Sequence, residues 1–265
     1  MAVSLPNSAD SNQPSPFAIE LRRVTKQFGV IAALREVTAS FASGRLFLIL
    51  GDNGAGKSTL MRIIAGLAPP TRGTVAVFGS AVFGSVLSGS LLGSSDSSDW
   101  KRRIGYMPHE SLLYDEMSGL ENLRYFAQLY GITDPAACER AMADVSLDPK
   151  LLRRVSQYSQ GMRQRLSLAR ALVHDPELVL LDEPFSNVDI VSARHMASRL
   201  AAMRDAGKTI LVITHQPQLL EGVADEAMYL AAGRIVDRGS WDAGAVAQFE
   251  ASTLRVRIRI GAGGR

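Results

Sequence analysis

The sequence predicts an α/β protein with a mostly parallel sheet, an antiparallel β subdomain and an inserted helical subdomain. Three continuous apolar runs, 46–50, 178–181 and 209–213, alternate with segments of helical period, as in wound α/β domains whose central strands are covered on both faces. Residues 18–21 instead begin an in-and-out alternation, which is typical of a half-exposed antiparallel strand. Helical spacing dominates from about 107 to 175, so we expect the helical subdomain there.

The segments outside this pattern set the expected domain boundaries. Residues 1–16 are rich in Ser, Pro, Asn and Asp and lack a signal-peptide core, which predicts a disordered tail before a domain spanning 17–240. Within that domain, 79–99 is dominated by Gly and Ser, as in a flexible loop or loose hairpin. The remaining 241–265 form a C-terminal extension in which 254–260 alternates like a two-faced strand.

Composition excludes several classes of protein. The chain has 265 residues, of which 46% are hydrophobic and 21% charged, an ordinary globular balance. A net charge of +3 with scattered basic residues gives no reason to expect nucleic acid as a partner. The single cysteine, Cys138, excludes an intrachain disulfide. No stretch reaches the ~18 apolar residues that span a bilayer, so a membrane role is expected to need a separate protein.

A glycine-rich segment after the first apolar run matches the P-loop, which binds phosphates between a strand and a helix. Its predicted ATP-binding residues are Gly51, Asp52, Asn53, Gly54, Ala55, Gly56, Lys57, Ser58 and Thr59. The glycines let backbone N–H groups approach a polyphosphate, and the helix dipole adds positive potential. We expect Lys57 to reach the β- and γ-phosphates and Ser58 to ligate Mg²⁺. Apolar residues at helical spacing from 60 to 67 predict the helix, which should stop at Pro69.

The second apolar run ends in two adjacent carboxylates, Asp182 and Glu183. This is the Walker B arrangement, in which the first carboxylate holds Mg²⁺. Glu183 is then expected to act as general base or to polarise the attacking water. The alternative is that both acids cap the end of a core strand.

A third segment, 158–162, places a Ser and a Gly at the start of a helix about 20 residues before these carboxylates. Alone it is an ordinary helix start with Ser159 as N-cap. The order and spacing of the three segments resemble the ATP-binding subunits of ABC transporters across about 17–240. Residues 158–162 resemble that family's signature motif, usually LSGGQ, and keep Ser159 and Gly161.

The resemblance implies roles that the residues alone do not fix. The signature residues expected to contact ATP held by a second copy are Ser159, Gln160 and Gly161. A homodimer would then form two composite sites. Asp189 lies in a segment similar to the D-loop, and His215 matches the switch histidine that contacts the γ-phosphate. Phe28 matches the aromatic residue on which adenine stacks, with core packing as the alternative.

One departure from the family pattern concerns the Q-loop, where His109 stands in place of the usual glutamine. A neutral imidazole can ligate Mg²⁺ or accept from its bound water, so we expect His109 to take the glutamine's role. This histidine and the segments 120–126, 182–185 and 214–217 resemble the haem-exporter ATPases of c-type cytochrome maturation.

The apolar residues after His109 have two interpretations. They are Leu112, Leu113, Tyr114 and Met117. We expect them either to line a groove for a permease helix or to form a buried hydrophobic cluster.

The sequence therefore predicts an ATP- and Mg²⁺-dependent ATPase that works as a homodimer on an integral-membrane permease, peripheral to the cytoplasmic side of the cell membrane. Haem export is the specific expectation. The alternatives are another exporter of multidrug, lipid or ABC-2 type, or a soluble ABC ATPase outside transport. Glu183 argues against a protein that binds ATP without hydrolysing it.

Overall fold

The computed structural model of the protein describes residues 16–83, 99–242 and 244. Within them the strands are β1 (Phe17–Phe28), β2 (Ile31–Ala42), β3 (Leu46–Gly51), β4 (Arg72–Val77), β5 (Ser80–Phe83), β6 (Ile104–Met107), β7 (Leu178–Asp182), β8 (Thr209–Ile213), β9 (Glu226–Ala231) and β10 (Arg234–Ser240). The α-helices are α1 (Lys57–Ile64), α2 (Asp99–Arg102), α3 (Gly119–Leu129), α4 (Pro135–Asp144), α5 (Gln160–Leu172) and α6 (Ile190–Asp205). Short 3₁₀ turns lie at Val155–Gln157 and Pro217–Leu220.

The larger sheet has the strand order β10-β9-β3-β8-β7-β6. All its neighbouring strands are parallel except the edge pair β9 and β10. The three apolar runs in the sequence form β3, β7 and β8, and their apolar residues are buried. The predicted mostly parallel core is confirmed, and the carboxyl ends of these strands meet at one edge.

The smaller sheet has the order β2-β1-β4-β5, and each of its pairs is antiparallel. It confirms the antiparallel subdomain. The strand β5 lies within the segment 79–99 and forms a hairpin with β4, whereas 84–98 lie outside the described residues. The predicted tail up to residue 15 and the predicted strand 254–260 also lie outside them.

The helical subdomain lies between β6 and β7, as the sequence predicts. Its helices α3, α4 and α5 share one buried apolar cluster that includes Leu123, Met142 and Leu166. Ser118 caps α3 through a capping box with Glu121, and Gly131, at φ +75°, follows its end.

The helix α1 ends earlier than the sequence predicts. It stops at Ile64 instead of running to Pro69, and Leu67 is 64% exposed. The cause is Gly66, whose φ of +72° turns the chain into the left-handed region that closes many helices. The Trp100 ring packs so closely here that a Cβ on Gly66 would lie 2.3 Å from it. The prediction that Leu67 lies on the buried face was therefore wrong.

The buried apolar residues extend past β10. Trp241 is buried in the same apolar cluster as the helices α3, α4 and α5, and its backbone N–H donates to the Asp225 carbonyl at 3.0 Å. The start of the segment predicted as a C-terminal extension is thus packed against the domain.

Candidate functional site

The carboxyl edge of the large sheet opens into a cleft of about 620 Å³. The cleft is lined by Phe28, Ala33, Asn53, Gly54, Gly56, Lys57, Ser58, Thr59, His109, Asp182, Glu183, Ser186, Ile213 and His215. Residues predicted from five separate parts of the sequence therefore meet at one place. Open α/β sheets bind ligands at this edge.

The P-loop connects β3 to α1 and presents the start of that helix to the cleft. Gly56 is the N-cap of α1 and makes no side-chain hydrogen bond to the first turn. The unpaired N–H groups of a helix start attract anions. The Lys57 ammonium donates to the carbonyls of Gly51 at 2.6 Å and Asp52 at 3.0 Å, which fixes the lysine across the loop.

The electrostatics of Lys57 combine burial with nearby carboxylates. Burial lowers the pKa of this lysine, while Glu183, Asp182 and Asp52 act in the opposite direction. The ammonium is thus partly desolvated within a group of carboxylates, and a polyphosphate placed here would gain an incompletely hydrated cation.

Glu183 follows β7 in a left-handed backbone conformation, at φ +58°. Its backbone N–H donates to the Ile213 carbonyl at 2.9 Å, and its Oε2 accepts from the His215 backbone N–H at 3.1 Å. The other oxygen, Oε1, is buried without a hydrogen-bond partner among the described residues and lies 3.4 Å from His215 Nε2. Burial raises the pKa of Glu183. An oriented carboxylate with a free oxygen and a raised pKa has the properties of a general base.

The two oxygen donors predicted for a cation, the Ser58 hydroxyl and the Asp182 carboxylate, both line the cleft. No group of three or more His, Cys, Asp or Glu side chains able to hold a metal occurs in the described part of the chain. This set fits Mg²⁺, which usually keeps water and takes further oxygens from phosphates. His109 is exposed on the cleft wall, and its role as a metal ligand stays a prediction.

Phe28 lies at the end of β1, and its ring is 55% exposed. The core-packing alternative is therefore wrong. Lys26 Nζ lies 5.0 Å from the ring centroid. An exposed aromatic face beside a phosphate-binding loop can stack on a base, and the adenine contact stays a prediction.

The predicted signature residues do not line this cleft. Ser159 and Gln160 are exposed at the start of α5, where Ser159 Oγ accepts from the Met162 N–H at 3.3 Å. Asp189 is also exposed and caps α6 by accepting from the Ser192 N–H at 2.9 Å. Contact between these residues and ATP would have to come from another copy of the chain.

The apolar residues after His109 divide between the two interpretations. Leu112 and Tyr114 are exposed, whereas Leu113 is half-buried against the apolar core. The Tyr114 ring contacts Tyr125, with centroids 5.2 Å apart, and stacks on Phe126 at 6.1 Å. The surface near the Q-loop is thus partly apolar and partly exposed.

Sequence reasoning assigned no role to Ala33 or Gln164, and it named Ser186 only as part of the segment similar to the D-loop. Ala33 and Ser186 line the cleft, and Gln164 Nε2 donates to the Glu183 carbonyl at 2.6 Å. A glutamine in a helix carries no signal of such a role, because the contact depends on how α5 packs against the end of β7.

The fold and cleft define a P-loop ATPase with an inserted helical subdomain. A family model described as ABC transporter matches residues 34–186, and the chain belongs to the ABC transporter family as an ATP-binding subunit. It is an ATPase of that type. No helix in the described ranges has the length and apolar character to cross a membrane.

The chain is similar to ABC transporter ATP-binding protein NatA of Bacillus subtilis (strain 168), with 34% identity over 223 residues that cover 83% of this chain and 86% of NatA. It is 35% identical to the Nod factor export ATP-binding protein I of Sinorhizobium fredii over 234 residues. That match covers 86% of this chain but 64% of the relative, so the chain spans under two thirds of the Nod factor protein.

Two solved structures share the fold. One, the ATP binding subunit of an ABC transporter, has a TM-score of 0.72 and 26% identity, covering 84% of this chain and 90% of that one. The other, a dimeric ATP-binding cassette in a post-hydrolysis state bound to ADP and Pi, has a TM-score of 0.74 and 24% identity. It covers 84% of this chain and 98% of that one.

Proposed function

We propose that the protein is the ATP-hydrolysing subunit of an exporter. Two copies would act together on an integral-membrane permease, at the cytoplasmic side of the cell membrane. The observation that carries this proposal is the division of the predicted site. The cleft holds the P-loop, Glu183 and His215, while Ser159 is exposed outside it. In this proposal one copy alone has an incomplete site.

The proposal assigns a separate task to each polar group that takes part in ATP hydrolysis. Bound Mg²⁺–ATP supplies a phosphoryl group that water can attack. The first N–H groups of α1 and the Lys57 ammonium bind phosphate oxygens, and Ser58 and Asp182 hold the cation. The free Oε1 of Glu183 accepts the proton of the attacking water, and His215 stabilises the charge that develops.

The second copy completes the site through the start of α5. The N–H groups around Gly161, at the start of α5, would attract an anion for the same reason as those at the start of α1. The Ser159 hydroxyl would donate to the same anion. ATP would hold both copies together because it contacts both, and hydrolysis would release them. Leu112 and Tyr114, exposed after His109, are the proposed permease contacts.

Export is supported by the names of relatives. The S. fredii relative is named for Nod factor export, and a relative from Enterococcus faecalis, 31% identical over 222 residues, is named for bacitracin transport. These names favour an exporter over a soluble ABC ATPase that acts outside transport. Haem export rests on His109 and three short segments alone and stays a prediction.

The proposal is tested with Glu183→Gln, which keeps the shape of the side chain but removes the base. We expect the steady-state ATPase rate to fall by roughly 10²–10⁴-fold. The variant should also form an ATP-bound dimer that light scattering detects. The matched control is Glu221→Gln, the same change at an exposed glutamate outside the cleft, which should leave the rate unchanged. Normal hydrolysis by Glu183→Gln would refute the assignment of the base.

A further inference from the structure

The loop that carries Glu183 is strained at both ends. Glu183 has φ +58° and Asn187 has φ +60°, a region that residues other than glycine seldom adopt. Such conformations persist only where surrounding contacts hold them. Phe185, between them, is fully buried and anchors the middle of the loop. The ends need support of their own.

That support comes from one face of α5. Gln164 is buried and its Nε2 donates to the Glu183 carbonyl at 2.6 Å. Gly161 packs against the other end so closely that an added Cβ would lie 2.9 Å from the Asn187 carbonyl. Positions three apart share a helix face, so the two contacts act from one surface.

We propose that Gln164 is a positioning residue that holds Glu183 in its catalytic conformation; this rests on the proposed role of Glu183 as base. Gln164 does not line the cleft and acts only through the Glu183 peptide. The carboxylate itself is oriented from the opposite side, where the His215 N–H donates to its Oε2. The glutamate is thus held between α5 and the end of β8.

The inference also links two parts of the proposed composite site. Gln164 lies five residues after Ser159, within the first two turns of α5. A displacement of Ser159 by a second copy would therefore reach the Glu183 peptide through one rigid helix. In this arrangement the start of α5 contacts the nucleotide bound by the partner. The second turn of α5 positions Glu183, the general base in the cleft of its own copy.

Replacing Gln164 with Met removes the N–H donor at nearly constant length. We expect kcat for ATP hydrolysis to fall by roughly 10- to 100-fold, because a small misplacement of a reacting group has that effect. The KM for ATP should stay within about twofold, since Gln164 does not line the cleft. Gln164→His retains an N–H donor at similar reach and should keep more of the kcat.

The matched control is Ala171→Gly, which weakens the far end of the same helix. It should lower the thermal stability about as much as Gln164→Met does, but leave kcat near the wild-type value. The inference is overturned if Gln164→Met keeps the wild-type kcat, or if its loss is equalled by Ala171→Gly. Failure of the proposed function is a separate result. It would show as normal turnover in Glu183→Gln, whatever the Gln164 variants do.

Discussion

Replacing Gly56 with alanine is expected to destabilise the P-loop severely. The glycine has φ +103°, and an added Cβ would lie 2.4 Å from the Ala33 carbonyl oxygen and 2.8 Å from Leu34 Cδ2. Backbone strain contributes about 1–3 kcal/mol, and overpacking contributes a further 1–3 kcal/mol or so. The change in the unfolded chain offsets about 0.4–1 kcal/mol, which leaves about 1–6 kcal/mol of destabilisation.

The matched control is Gly54→Ala in the same loop. Its φ is +79°, but nothing lies within 4 Å of the added Cβ. The overpacking term is therefore absent, and only the backbone strain of about 1–3 kcal/mol remains, less the same offset of about 0.4–1 kcal/mol. Thermal unfolding should show a Tm about 5–15 °C lower for Gly56→Ala and only a few degrees lower for Gly54→Ala. ATP should also raise the Tm of Gly56→Ala less than that of wild type, because the loop must shift to relieve the clash. A Tm of Gly56→Ala equal to that of Gly54→Ala would refute this reasoning.

Three further predictions test other parts of the molecule. Phe28→Ala should weaken ATP binding by roughly 5- to 100-fold, since stacking on a base contributes about 1–3 kcal/mol. Phe28→Tyr should not, and equal titration curves for the two variants would contradict the adenine contact. Burial lowers the pKa of His174 below its ordinary 6.5, so the unfolded chain binds more protons and stability falls as the pH drops below about 6.5. His174→Gln should reduce this loss in Tm scans from pH 8 to 5, and an unchanged slope would argue against it. Leu112→Glu changes an exposed residue of the proposed permease contact, so it should reduce co-purification with the permease while ATP binding to the purified subunit persists. Unchanged co-purification would exclude this surface.

The strands of the core could be predicted because continuous apolar runs indicate strands that are buried on both faces. Strands β3, β7 and β8 begin where those runs begin, and all three are covered on both faces. The polar residues at their ends had to meet, because parallel strands share one carboxyl edge. The location of the cleft followed from topology, whereas Ser58 was predicted from the P-loop motif, Asp182 from the Walker B arrangement and His215 from the family resemblance.

The wrong end of α1 and the missed role of Gln164 both depend on tertiary contacts, which the local sequence does not reveal. The end of α1 depends on the close packing of Gly66 against the Trp100 ring. The spacing of apolar residues in α1 does not predict that contact. The contact of Gln164 with Glu183 depends on the distance between a helix and a strand end that are 19 residues apart in sequence. Hydrophobic periodicity identifies elements, whereas such contacts come from how the elements pack.

The central claim is that each catalytic site combines the cleft of one copy with Ser159 of another. The direct measurement mixes Ser159→Arg with Glu183→Gln, each inactive alone, and follows ATP hydrolysis. In a mixed dimer, the cleft with Glu183 faces the intact Ser159, so one site is complete. An equal mixture should recover up to about a quarter of the wild-type rate, since half of the dimers are mixed and each has one of two sites. If the mixture stays inactive while both variants bind ATP and associate, the composite site is contradicted.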